Sequence, residues 1–347
     1  MPQEADQNVS DPAFTVLSLL LDMVFSMTLQ EVAHLGIADL LRDGPKPVSM
    51  LAQETGIQEE VLQLFLRVLC SKEIFVEIAA GVFAHTEISR HLQTNPLGSM
   101  RDMAEIFRSE WQRRTLTPEA LTYTLQTGKP AIEPILGENL WSYLTGHPTE
   151  YATFNRAMTA VSLLHNEVVA QACDLRGLHS LVDLGGGEGS FLSTILMLNP
   201  EMSGTLFDIP PVIEQAKARI AQAGLGERCT CIAGDFLERV PEGGDAYFIK
   251  QVMHDWNAEN ALRILRNCRQ AIAPTGKLFI IEYILPDPPS KPATYLTLSV
   301  MLRQVTSGGY QRTVQEWRHL LNDAGFEYVR ITPTSAPQSV LEAKVLH

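Results

Sequence analysis

The run KQVMHDW, residues 250–256, sets a lysine at the end of an apolar stretch and follows it with His254, Asp255 and Trp256. An imidazole titrates near pH ~6.5, so a histidine at a strand end is a candidate proton carrier. Most histidines in globular chains are merely packed or solvated, and the surroundings decide. Upstream, LVDLGGGEGS (181–190) carries glycines at 185, 187 and 189. They allow a tight turn and let a ligand approach where a Cβ would otherwise stand. Asp208 closes a second β-type run about twenty residues further on, placed to accept hydrogen bonds from ribose hydroxyls. Asp235, in GDF, follows a third; a carboxylate there can accept from an adenine amino group, with Phe236 against the ring.

The dinucleotide fingerprint GxGxxG would need glycine at 190, where Ser190 stands, and no P-loop lysine follows. A pyrophosphate therefore lacks its usual cradle. What remains suits an adenosine with a charged amino-acid tail, S-adenosyl-L-methionine, with Lys250 meeting its carboxylate.

Such residues need a sheet to hold them. The β-rich runs HSLVDL, GTLFDI, TCIAGD, DAYFIKQV and KLFIIEYIL alternate with helical segments such as PPVIEQAKARIAQAG and ENALRILRNCRQAI. That alternation predicts an α/β fold: βαβ units and a mostly parallel sheet covered on both faces. The tail YVRITPTSAPQSVLEAKVL lacks an intervening helix and predicts an antiparallel hairpin at the sheet edge. Residues 173–347 are thus expected to form the cofactor-binding domain. Residues 101–172, mainly helical and broken at TGKP and TGHP, read as a connector contributing to the substrate pocket.

Within residues 1–100, two helical patterns and the hairpin-like VEIAAGVFAHT outline a winged helix-turn-helix. With 13 acidic against 5 basic residues in that stretch, phosphate would be repelled, and DNA reading is disfavoured against packing and dimerisation. The apolar helix LSLLLDMVFSMTLQEVAHLGIADLL has more hydrophobic surface than one face needs, which predicts burial on a second subunit, a homodimer. The net charge of −13 also argues against nucleic acid, whose affinity comes from Lys and Arg. The run FTVLSLLLDMVF is read as too short to span a bilayer and as broken by Asp22, and MPQEAD lacks the basic start of a secretory signal, so a cytoplasmic protein is expected. Five cysteines without a CxxC signal neither a disulfide framework nor a zinc site.

At this point the chain resembles the small-molecule O-methyltransferases of the caffeic acid and acetylserotonin kind. The likeness covers nearly the whole length. It rests on TGKPAIEPILG (127–137), FNRAM (154–158), VDLGGGEG (182–189), GDF (234–236), KQVMHDW (250–256), EYILP (282–286) and GGYQRT (308–313), in the family's order. The resemblance implies a class I methyltransferase domain behind a winged-helix dimerisation domain. It implies that Gly185, Gly187, Asp208, Asp235, Phe236 and Lys250 hold the cofactor, with Ser162 and Met158 near its methionine end. His254 would be the base, with Met158, Trp256 and Met301 lining the acceptor pocket; for both methionines simple core filling is the competing reading.

The family also implies two carboxylates flanking the imidazole. Glu282 matches the first; the second falls on Gln311, where relatives read GGxERT. An amide carries no charge, so His254 is expected to be a weaker base. Leu298 likewise stands where relatives often show an acid, with Arg303 downstream. Moving a proton from a phenol of pKa about 10 to an ordinary imidazole costs ~5 kcal/mol, whereas an alkanol would cost about 12. The expected reaction is therefore methyl transfer to a phenolic or enolic hydroxyl of a small molecule, leaving S-adenosyl-L-homocysteine. Alternatives are a non-methylating dehydration or rearrangement using Arg303 and His165, C-methylation, a DNA-binding sensor, and an NAD-dependent dehydrogenase.

Overall fold

A computed structural model describes residues 11–94, 98–288 and 294–347. They fall into two compact units that meet in sequence at Arg108/Ser109.

The N-terminal unit opens with α1 (Pro12–His34), whose Asp11 side chain accepts from the Ala13 N–H at 3.0 Å while a proline fills the first turn. The helix stops where Gly36 turns left-handed at φ +71°. Its apolar run is longer than the segment FTVLSLLLDMVF alone implies. α1 passes through Asp22 without interruption for 23 residues, and by length and composition alone it is long and apolar enough to cross a membrane. Asp22 does not break it because its carboxylate pairs outward with Lys72. Helices α2 (Val48–Thr55) and α3 (Glu59–Cys70) follow, joined through left-handed Gly56. α3 places Leu62, Leu66 and Leu69 inward at helical spacing. The strands β1 (Lys46–Pro47), β2 (Phe75–Ala79) and β3 (Val82–His85) form a small antiparallel sheet in the order β1-β3-β2. α4 (Arg101–Arg108) packs back on α1.

The C-terminal unit begins with α5 (Glu110–Thr115) and short helices, then α6 (Pro148–Leu163), before the sheet starts. Its strands are β4 (Ser180–Leu184), β5 (Ser203–Asp208), β6 (Cys229–Ala233), β7 (Ala246–Lys250), β8 (Lys277–Glu282), β9 (Phe326–Pro333) and β10 (Ser339–Val345). They lie in the order β6-β5-β4-β7-β8-β10-β9; β4 to β8 pair in parallel and β10 is antiparallel to both neighbours. The tail hairpin expected from the sequence therefore closes one edge. The central strands β4, β7 and β8 are buried on both faces by simple alternation. Tyr247 and Ile249 face one cluster with Ala261, Ile264, Leu265 and Cys268 of α9 (Ala258–Ala271) and Trp317 of α11 (Val314–Asp323). Ala246 and Phe248 face the other, with Phe191, Leu192 and Ile195 of α7 (Ser190–Leu198) and Ile213 and Ala216 of α8 (Pro210–Gln222). Helix α10 (Thr294–Val305) lies across the carboxyl end of the sheet, against the turn that carries His254 and against α5.

This is a doubly wound sheet whose order reverses at β4, between β5 and β7. The crevice beyond such a reversal is where these folds bind ligands. In register, Leu184 lies beside Phe207 and Ile249, and Lys250 beside Ile281. Gly185, Asp208, Lys250 and Glu282 thus emerge along one edge.

Candidate active site

The first turn is built on glycine for geometric reasons. Gly185, Gly187 and Gly189 have φ of +66°, +59° and +81°, a region that strains any residue with a Cβ. At Gly185 a Cβ would lie 2.7 Å from Val252 Cγ2 and 3.5 Å from the Phe236 ring, whereas at Gly187 it would meet nothing within 4 Å. The backbone at Gly187 is thus open to a ligand. Asp208 braces it: Oδ2 accepts from Gly187 N–H at 2.9 Å and Oδ1 from Ile209 N–H at 2.7 Å. Burial raises the Asp208 carboxyl above its ordinary range. Asp235 is exposed and accepts from Leu237 N–H at 2.7 Å. Phe236 stands edge-on to Trp256, centroids 5.6 Å apart.

Helix α6 closes the other side. Lys250 Nζ donates to Ser162 Oγ at 2.6 Å, and Ser162 donates on to Asn166 Oδ1 at 2.9 Å. Thr159 donates to Glu188 Oε2 at 3.2 Å, which also meets Arg219 at 2.8 Å. Burial pushes the Lys250 amine down to about 8, with Asp183 and Glu282 opposing. Asp183, just before the glycines, is 1% exposed; burial pushes it up to about 7 against the pull of Lys250. Sequence reasoning passed over this acid, although its place directly before the turn was the available signal.

The turn Met253–Asp255 is a single 3-10 turn held from both ends. Glu282, fully buried, sits at its amino end: Oε1 accepts the backbone N–H groups of Val252, Met253 and His254 at 3.2, 3.0 and 3.3 Å. Its Oε2 lies 2.7 Å from His254 Nδ1 and 3.0 Å from Gln251 Nε2. The buried Arg312 guanidinium grips the carbonyl side, donating to Met253 O at 2.8 Å and Trp256 O at 2.7 Å. Gln251 takes a left-handed φ of +55° to start the turn.

A carboxylate on Nδ1 puts the ring proton there and leaves Nε2 as the free basic nitrogen. Nε2 lies 3.7 Å from Asp255 Oδ1. Burial works against the imidazolium, but Glu282 and Asp255 outweigh it and raise His254 to about 9, with Arg312 opposing. Burial in turn pushes Asp255 up to about 6. The acid beside Nε2 is therefore Asp255. Gln311 is 1% exposed; its backbone N–H donates to Ser299 Oγ at 3.0 Å, and its side-chain Nε2 has no partner.

The remaining expected residues are distributed as follows. Trp256, 9% exposed, belongs to the core cluster beneath the site. Met301 on α10 accepts at Sδ from Gln112 Nε2 at 3.3 Å. Met158 on α6 is 39% exposed, which removes core filling as its explanation. Arg303 donates to Gly308 O at 2.6 Å and lies over the Tyr310 ring, so it braces its own loop. His165 is half-buried at the start of helix Asn166–Gln171, held below its ordinary value by burial and by Lys250.

Comparison with known proteins decides the family. A family model described as the O-methyltransferase domain matches residues 119–327, and one described as the O-methyltransferase dimerisation domain matches residues 17–95. The chain belongs to the O-methyltransferase family. It is 36% identical to the phenazine O-methyltransferase of Lysobacter antibioticus, across 96% of this chain and 97% of that one. It is 33% identical to the phenazine-1-carboxylate N-methyltransferase of Pseudomonas aeruginosa, across 86% and 87%. Human N-acetylserotonin methyltransferase, solved with S-adenosylmethionine, superposes with a TM-score of 0.87 at 25% identity, covering 99% of this chain and 100% of that one. The protein is thus an S-adenosylmethionine-dependent methyltransferase with a class I sheet. Its own residues fit that cofactor. The turn is bare of Cβ at Gly187, and acids stand at the ends of β4 and β5.

Proposed function

We propose that this methyltransferase alkylates an acidic hydroxyl, phenolic or enolic, of a small molecule, with His254 as general base. The observation that carries the reading is the hydrogen bond of 2.7 Å between His254 Nδ1 and the fully buried Glu282. It fixes one tautomer and favours the imidazolium that forms as Nε2 takes the proton, the logic of a buried acid behind a catalytic histidine. When bound, S-adenosylmethionine would supply the methyl group on a sulfonium, with S-adenosylhomocysteine as the leaving group.

In this reading Gly185, Gly187 and Asp208 hold the nucleoside, Asp235 and Phe236 its base, and Lys250 with Ser162 its amino-acid end. Met158, Met301 and Trp256 shape the acceptor side. Asp255 supplies the negative charge that the amide at Gln311 lacks. Against the cost of burial, Glu282 and Asp255 hold the imidazole above its ordinary value, which brings it closer to a phenol near ~10 and leaves an alkanol near ~15.7 far out of reach.

The test is turnover with methyl-labelled cofactor and a phenolic acceptor. His254→Gln should keep S-adenosylhomocysteine binding by calorimetry and lose at least about a hundredfold in kcat; unimpaired turnover would remove His254 from the mechanism. The N-methyltransferase among its relatives favours a second reading, attack by a ring nitrogen. That reaction needs no base, and a label found on nitrogen would establish it.

The apolar helix α1, within the stretch matching the dimerisation domain, supports a homodimer as the working form.

A further inference from the structure

Beside the amine of Lys250, side chains from three elements close a ring of hydrogen bonds. Ser162, on the last turn of α6, donates to Asn166 Oδ1 at 2.9 Å. Asn166, which opens helix Asn166–Gln171, donates through Nδ2 to Ser190 Oγ at 3.4 Å. Ser190, the first residue of α7, donates back to Ser162 Oγ at 3.4 Å. Lys250 Nζ donates into the ring at Ser162 Oγ, 2.6 Å away, and lies 5.3 Å from the centre of the Phe191 ring. Asn166 is 2% exposed, and both α6 and helix Asn166–Gln171 pack on α7. Ser190 follows Gly189 directly, so the ring joins the end of the glycine turn to the end of β7. A glycine at 190, as the dinucleotide fingerprint has it, could not close it. A second tie, Thr159 to Glu188 at 3.2 Å, fastens α6 to the same turn and does not depend on the ring.

Chemistry sets the direction of each bond. An ammonium only donates, so Ser162 accepts from Lys250 and sends its single proton to Asn166 Oδ1. That oxygen is on hand because the other end of the amide, Nδ2, is turned to Ser190. With its proton and both lone pairs engaged, the Ser162 hydroxyl is fixed before a ligand arrives, and Lys250 keeps two of its three N–H bonds for one. A lysine has much rotamer freedom to lose on binding, and a partner already locked in place removes part of that cost. We infer that Asn166 and Ser190 are positioning residues for cofactor binding: they lock Ser162 so that Lys250 is aimed at the carboxylate of the cofactor's amino-acid end. Neither touches the cofactor; both act through Lys250. This rests on the reading of Lys250 as the group that meets the amino-acid end and adds to it two residues that hold it there.

The experiment compares two ligands of the full-length protein by calorimetry at neutral pH: S-adenosylhomocysteine, and 5′-methylthioadenosine, which has the same nucleoside and sulfur but no amino-acid end. Asn166→Leu should weaken S-adenosylhomocysteine by about tenfold and leave 5′-methylthioadenosine within about twofold. Ser190→Ala, which removes only the longer bonds, should weaken the first by about threefold and spare the second; it carries the test alone should Asn166→Leu fail to fold. Lys250→Met should lose the preference for S-adenosylhomocysteine, and adding Asn166→Leu to it should cost nothing further, the non-additivity of a residue that acts through another. Equal weakening of both ligands in either ring variant would mean a packing role and overturn the proposal, as would unchanged S-adenosylhomocysteine affinity in both variants or additive losses in the double variant. These outcomes leave the reading of Lys250 standing. A Lys250→Met protein that keeps the wild-type preference would overturn the proposal and that reading together.

Discussion

His254 owes its character to neighbours on three separate segments: Glu282 from the end of β8, Asp255 from its own turn, and Arg312 from the loop before α11. Removing a carboxylate removes support for the imidazolium, so Glu282→Gln and Asp255→Asn should each move the rising limb of the pH–kcat profile to lower pH. Glu282→Gln should also cost about tenfold to a hundredfold in kcat, because it loosens the ring as well. The same pair bears on stability. A histidine whose folded value is raised to about 9 contributes stability that is complete below its unfolded value, ~6.5, and is lost as pH rises through about 9. Thermal melting between pH 6.5 and 9 should therefore fall more steeply in the wild type than in His254→Gln. Of these residues His254 and Glu282 were legible in the sequence, from the strand-end HDW and EYILP. Asp255 as the partner of Nε2 was not, because only a 3-10 turn brings an adjacent carboxylate back to its neighbour's ring. The burial of Asp183 and Gln311 was equally invisible, since it depends on what the fold packs around them.

At the scale of elements, the sheet was readable because its strands alternate and its helices repeat at 3.6, and neither period depends on distant contacts. The crossing segments were harder. Nothing in GGYQRT announces that Gly309 must press on the backbone of the His254 turn; a Cβ there would overlap the His254 carbonyl oxygen and the Asp255 backbone. Gly309→Ala should accordingly displace the turn, lowering kcat at least about tenfold and stability by about 1–3 kcal/mol, read by turnover and by denaturant midpoint. Helix α1 was legible as an apolar helix running past Phe25, but the run FTVLSLLLDMVF taken alone understated its apolar length; Asp22 within it is anchored by Lys72, and Lys72 lies over the Phe25 ring.

For the molecule as a whole, α1 exposes Leu19, Leu20, Leu21 and Met23 at 66, 68, 55 and 68%. Each such side chain gains about 1.5–3 kcal/mol when buried, so an unpaired chain leaves a large association energy unused. The double substitution Leu20→Glu with Met23→Glu should shift the protein from dimer to monomer in sedimentation equilibrium; an unchanged mass would place the interface elsewhere. The net charge of −13 was informative at this scale only, since it bears on partners and not on the site. The family model for dimerisation covers residues 17–95, the stretch in which apolar excess had pointed to a second subunit.

The pH dependence of a single-turnover methyl transfer to a phenolic oxygen tests the role of His254 most directly. The wild type should accelerate as pH rises and level off near 9, and His254→Gln should be slower by at least about a hundredfold with that limb removed. A mutant profile that overlies the wild type would mean that the proton leaves by another route and that His254 only fills space.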